Sequence, residues 1–329
     1  MPDFERNHIN RMLAGKGSLA LSLLATLVIA IISAAMFSPG PLEGHAGICL
    51  PSPNEWKLPG GLSFVLNILL YWIACLGAIS LNKRFNFIPG SGVLFASVFM
   101  FAALSDPWIN SRLSSSSIVV CIVLACCHLL FGLYGRRNAS QEIFFIFSIL
   151  SWGSMIQYSC VLLMPIFMLG AIFLKVFGVR ECLAAILAIL TPYWIIFGLG
   201  VLPAEALRWP GLTNFFTGFA GNGQLYWLFV ANGITATLFL LLLAANSLKA
   251  YSLGVRMRAL NSFLNLLGIA MIWFMLFDTD NLLAYAATLA LAFGFQAGRF
   301  FPECRLRRVY LFILLIPVIY ITLFIFSLS

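Results

Sequence analysis

The chain has 329 residues, of which 62% are apolar and only 9% charged, and its mean hydropathy is +1.00. A soluble protein carries about a quarter charged residues, so composition excludes a water-soluble globular domain and leaves a polytopic membrane protein. The net charge of +8 does not point to nucleic acid, because the cations come in twos and threes between apolar runs and form no basic face. Residues 1–17 alternate Phe4, Ile9, Met12 and Leu13 with Arg6, Asn10 and Arg11. That pattern predicts a cytoplasmic amphipathic segment lying flat at the inner interface.

Crossing about 30 Å of hydrocarbon takes around twenty helical residues. Runs of that kind are predicted at 18–38, 61–81, 87–104, 115–135, 142–156, 159–178, 182–201, 224–246, 259–277, 281–298 and 309–327, all within one transmembrane domain, 18–329. The first run is longer than the roughly 7–15 apolar residues of a secretory signal, so it reads as a retained span. Between Glu142 and Gly178 the one charge is Lys175. A single helix over that stretch would be about 55 Å long at 1.5 Å per residue. A turn at Gln157, Tyr158 and Ser159 is therefore predicted to split it into a hairpin. With the hairpin, sixteen Lys and Arg fall on the side of the N-terminus and three, Lys57, Arg112 and Arg208, on the other. Without it the split is eight against eleven, which the positive-inside rule disfavours. The predicted fold is all-α: a transmembrane helix bundle of about eleven spans, N-terminus inside and C-terminus outside.

Ionisable residues deep in a bilayer are costly and mark sites. Among the spans only His128 lies well inside, and no span holds a central Asp or Glu. His128 follows Cys126 and Cys127, but adjacent residues on a helix diverge by about 100°. It reads as a neutral histidine bonded within the bundle, and no metal or other cofactor is expected. Asn67, Gln157, Asn232, Asn246, Asn265 and Gln296 read as interhelical hydrogen-bond partners or as ligands for a polar substrate. Cys49 and Cys160 sit at the same face, yet most cysteines lie in spans, so no disulfide framework is expected.

The predicted outer face holds Glu43, Glu55, Asp106, Glu205, Asp278 and Asp280 against the three outer bases. Ser105, Asp106, Pro107 and Trp108 end a span there; Asp106 is placed to act as a base, and the Trp108 indole either stacks on a sugar or headgroup or anchors at the interface. Arg208 is the candidate cation beside it. Asp278 and Asp280 share a short loop, either as oxygen ligands for a divalent cation or as a solvated turn. The loop 39–60 is rich in Pro and Gly and predicted irregular. The loop 202–223 places Trp209, Phe215, Phe216 and Phe219 after Glu205 and Arg208, a mixture suited to headgroups or a lipid-linked substrate. Trp108, Arg112, Glu205, Trp209, Asp278 and Asp280 are thus candidate binding residues, and Asp106 and Arg208 candidate catalytic ones. Ala286, Ala290, Gly294 and Gly298 recur every four residues, a stripe that lets helices approach closely, within the bundle or between copies. Pro165, Pro192 and Pro317 are predicted to bend their spans.

The hairpin, then Arg180 and Glu181, then Pro192 and Tyr193 in the next span, give residues 81–200 an order of features that resembles an uncharacterised family of multi-pass inner-membrane proteins of Bacteroidota, a domain of unknown function. The resemblance implies a bacterial cytoplasmic membrane and no assigned activity. Three functional classes remain: an envelope biogenesis protein that handles a lipid-linked or lipid-like substrate at the outer leaflet, a transporter or flippase without ion coupling through buried acids, and a non-catalytic assembly subunit. Their partners are membrane lipid, a lipid-linked glycan or other envelope proteins. The residues alone do not decide whether the chain is an enzyme.

Overall fold

The structure is a computed structural model and describes residues 16–37, 47–53, 56–88, 93–136, 138–203, 205, 207, 226–248, 254–303 and 309–328. Among these there is no strand. The helices are α1 (Lys16–Met36), α2 (Gly60–Phe85), α3 (Leu94–Leu104), the one-turn α4 (Pro107–Asn110), α5 (Ser115–Phe131), α6 (Ser140–Ile156), α7 (Ser159–Phe173), α8 (Val179–Gly198), α9 (Tyr226–Leu248), α10 (Val255–Phe277), α11 (Leu282–Glu303) and α12 (Val309–Leu328). Seven of them, α1, α2 and α8 to α12, are long and apolar enough to cross a membrane; α3, α5, α6 and α7 are shorter apolar helices. The break between α6 and α7 falls at Gln157 and Tyr158, where the sequence places the turn. The N-terminal amphipathic segment lies outside the described residues.

The centre of the bundle is α11, whose apolar window is wholly buried, whereas only 17% of that of α12 is. Close packing explains why this helix holds the middle. A Cβ on Gly294 would lie 2.6 Å from the Phe95 carbonyl oxygen and 3.0 Å from Phe99 Cβ, and one on Gly298 would overlap Phe95 Cβ. The stripe is therefore spent on α3, inside the chain, and is not a surface for a second copy.

Polar side chains join the helices where lipid offers them no partner. His128 Nε2 lies 3.0 Å from the Gly77 carbonyl, which only accepts, so that nitrogen carries the proton. Asn246 donates to Gln296 Oε1 at 2.7 Å, and Gln296 donates in turn to Asn265, tying α9, α11 and α10. Pro165, Pro192 and Pro317 lie inside helices as predicted. Near Pro192, Ser151 Oγ on the neighbouring helix donates to the Ile189 carbonyl at 2.8 Å, and Thr191 Oγ1 donates to the Leu187 carbonyl.

The loops gather at two ends. The Gly135 N–H donates to the Leu174 carbonyl, which joins the turns that carry Arg136 and Lys175. Arg84 and Arg256 stand 5.4 and 5.8 Å from the centre of the Phe85 ring. At the opposite end Ile48 and Leu50 donate backbone N–H groups to Ser154 and Met155 at the end of α6. Only glycine permits that docking, because a Cβ at Gly47 would overlap the Met155 carbonyl.

Candidate functional site

The end of the bundle that carries the 47–53 loop also carries the turn between α3 and α5, and here a carboxylate is buried. Asp106 has extended backbone (φ −96, ψ 120), and its Oδ1 accepts the Trp108 N–H at 2.9 Å. That is an N-cap, followed by proline in the first turn, where its missing N–H costs nothing. Pro107 thus starts a short helix instead of merely ending the span. The turn is held by α2: Asn67 Nδ2 donates to the Ile109 carbonyl at 2.8 Å, Ser63 Oγ accepts the Leu113 N–H at 2.8 Å, and the Tyr71 hydroxyl donates to Ser116 Oγ at 2.9 Å. Ser63, Asn67 and Tyr71 are spaced by four, so one face of α2 carries all three.

Asp106 is 8% exposed. Loss of water pushes its carboxyl up to about 7 against an ordinary 3.8, with only the Trp108 N–H acting the other way. It opens on a cavity of about 360 Å³, counting its open side, between α3, α4, α9 and α12. Ser105, Trp227, Asn232, Thr235 and Tyr320 share the wall, with Ile109 and Leu323 as apolar surface. No Lys, Arg or His lines it among the described residues.

Sequence reasoning nominated Asp106 and, as an amide, Asn232; it missed Trp227, Thr235 and Tyr320, which come from helices more than a hundred residues away. No local pattern marks them. Trp108 is 5% exposed, and its ring packs edge-on against Phe37 at 5.2 Å. The indole therefore faces protein, and neither stacking on a sugar nor interfacial anchoring describes it. Arg112 is partly buried, which lowers its guanidinium below the usual value, and it is absent from the cavity wall. Glu205 is exposed. Arg208, Trp209, Phe215, Phe216 and Phe219 lie outside the described residues.

Asp278 corrects a second expectation. Far from a solvated turn, it is 1% exposed, and its Oδ2 accepts the Tyr285 hydroxyl at 2.6 Å and Asn281 Nδ2 at 2.8 Å. Gln157 donates to Asn281 Oδ1 and accepts from Ser52 Oγ at 3.1 Å, so one polar chain ties the 47–53 loop, the α6–α7 turn and the start of α11. Asp280 is partly exposed and has interactions of its own. No group of three or more potential metal ligands occurs among the described residues. Cys49 and Cys160 are both free thiols. Tyr285→Phe removes one of two donors from a buried carboxylate whose Oδ1 already has no partner. It is expected to cost about 2 kcal/mol, read as a lower melting temperature in detergent micelles; an unchanged melting temperature would mean that the bond does not hold this turn.

No family model, curated protein or solved structure matches the chain.

Proposed function

We propose that the chain is a multi-pass protein of the bacterial inner membrane with eleven spans, N-terminus inside and C-terminus outside. Its outer-leaflet end handles a lipid-linked or lipid-like substrate during envelope biogenesis. The observation that carries this reading is the cavity beside Asp106, where a buried carboxylate meets aromatic and apolar walls contributed in part by α9 and α12, two mostly exposed helices. A soluble substrate needs no apolar approach; an amphiphile does. The orientation rests on sixteen cations against three. The meeting of the Arg136 and Lys175 turns, and of Arg84 with Arg256 around Phe85, supports grouping those loops at one end. The inner-membrane assignment rests on the resemblance of residues 81–200 to the Bacteroidota family. The motive for an assembly subunit weakens, since the stripe on α11 is covered by α3.

The test fills the cavity without touching its charge. Ala231 lies in the wall, and Ala231→Phe is expected to abolish retention of a bound amphiphile, seen in native mass spectra of the full chain, and to change envelope lipids or glycans in cells. Wild-type spectra free of bound amphiphile, together with an unaltered envelope in the variant, would overturn the reading. A periplasmic reporter fused after Ser329 is expected to be active; activity only of a cytoplasmic reporter would reverse the orientation.

A further inference from the structure

Part of the hydrogen bonding around the cavity is made within the protein, and that narrows what it binds. Asn232 Nδ2 donates to the Leu228 carbonyl at 2.8 Å. Thr235 donates its one proton to the Ala231 carbonyl at 2.8 Å. The Tyr320 hydroxyl, 2.8 Å from Thr235 Oγ1, must then be the donor of that pair. Those three bonds are made within the protein, while Ser327 and Trp227 add a hydroxyl and an indole N–H to the wall. On the acceptor side the wall offers the second carboxylate oxygen of Asp106, the Asn232 carbonyl oxygen and the free lone pairs of Tyr320. Ser105 Oγ, buried beside Asp106, has no partner at all.

Size and charge restrict the ligand further. The enclosed part of the cavity has room for about one water-sized group. A phosphate or a hexose is several times larger, and a phosphate would also meet the Asp106 charge with no cation to offset it among the described residues of the wall. A protonated primary amine is water-sized, carries the charge opposite to the Asp106 carboxylate and brings three donors to the oxygens of Asp106, Asn232 and Tyr320. The Trp227 indole lines the cavity at the same place. An apolar chain has a path outward: Leu323 lines the cavity, Trp227 stacks on Phe326 at 5.4 Å, and Phe326 and Ile325 on α12 are exposed.

We propose that the cavity beside Asp106 binds the primary ammonium head of an amine-bearing amphiphile, with the carboxylate as counter-ion and the alkyl chain leaving past Leu323 and Phe326. This rests on the reading of the cavity as a lipid site and names the head group that the site selects. It excludes phosphate and pyrophosphate heads from this cavity.

The test uses the full chain in dodecyl maltoside micelles at pH 8, with melting temperature as the readout. Dodecylamine is expected to raise it saturably, with half-saturation at least tenfold below that of dodecyltrimethylammonium, which has the charge and no N–H donor. Dodecyl phosphate is expected to have no saturable effect. Asp106→Asn, which keeps the N-cap, is expected to abolish the dodecylamine response, and Glu142→Gln, beside Arg136 at the other end of the bundle, to keep it. Equal responses to the two ammonium amphiphiles, or an undiminished response in Asp106→Asn, would overturn the proposal. Butylamine as effective as dodecylamine would make a free amine the ligand and overturn the lipid source. In native mass spectra, dodecylamine is expected to be retained over dodecyltrimethylammonium and dodecyl phosphate. Retention of an anionic or glycosylated lipid that Ala231→Phe abolishes and dodecylamine does not displace would overturn the ammonium head while leaving the lipid site standing. Absence of any bound amphiphile overturns both.

Discussion

Replacing Asp106 with Asn is expected to stabilise the protein at pH 8. Burial raises the folded-state carboxyl to about 7 from 3.8, so between those values the folded chain holds a proton that the unfolded chain has released. Stability therefore falls as pH rises from about 4 to about 7 and is flat above. At 1.36 kcal/mol per pH unit this gap corresponds to about 4 kcal/mol at pH 8, of which the neutral amide is relieved. Asn caps the Trp108 N–H as well as Asp does, and its new N–H donors meet the acceptor-rich wall of Asn232, Tyr320 and Ser105. Among the described residues Tyr71 from α2 and Tyr320 from α12 lie near Asp106, and a phenol ordinarily titrates well above this range. The measurement is the difference in melting temperature between variant and wild type in micelles. It should amount to several degrees at pH 8 and vanish near pH 4. A difference that does not change with pH would show that the carboxylate costs the fold nothing. A cost of this kind is what a binding residue is expected to carry.

The second large effect belongs to α11. Gly294→Val is expected to destabilise by about 3 kcal/mol or more and to lower the yield of folded protein, because its Cβ would meet the Phe95 carbonyl, a backbone atom that cannot rotate away. Gly298→Leu drives into Phe95 in the same interface. Gly233→Ala on α9 supplies the control: its Cβ meets open space, and replacing glycine within a helix gains up to about 1 kcal/mol. Comparable melting temperatures for Gly294→Val and Gly233→Ala would show that α11 does not depend on close approach to α3. Detergent-extracted Gly294→Val that instead stays folded but loses a dimer would move the stripe to an interface between copies.

The most apolar of the long helices, α12, lies at the periphery, and the least apolar, α11, occupies the centre. In a soluble protein the order would be reversed. Within a membrane the lipid is as apolar as any side chain, so hydropathy draws no helix inward, and small residues that permit contact do. Ala286, Ala290, Gly294 and Gly298 were legible as a contact face; that the contact was α3 was not. The amides Asn246, Gln296 and Asn265 were likewise legible as interhelical partners without their pairing. Asp278 was misjudged because a short loop between helices usually lies in water, and only the neighbouring Tyr285, Asn281 and Gln157 show it buried.

By itself the sequence determined the class, the positions of the apolar helices and the turn at Gln157, because these follow from chain length against bilayer thickness and from the reach of one helix. It also singled out Asp106, as a charge at the end of an apolar run. The tertiary structure alone decided what Asp106 faces. Trp227, Thr235 and Tyr320 reach it from α9 and α12, and contacts across so many residues are set by which helix faces pack, a property of the whole bundle that no local spacing encodes.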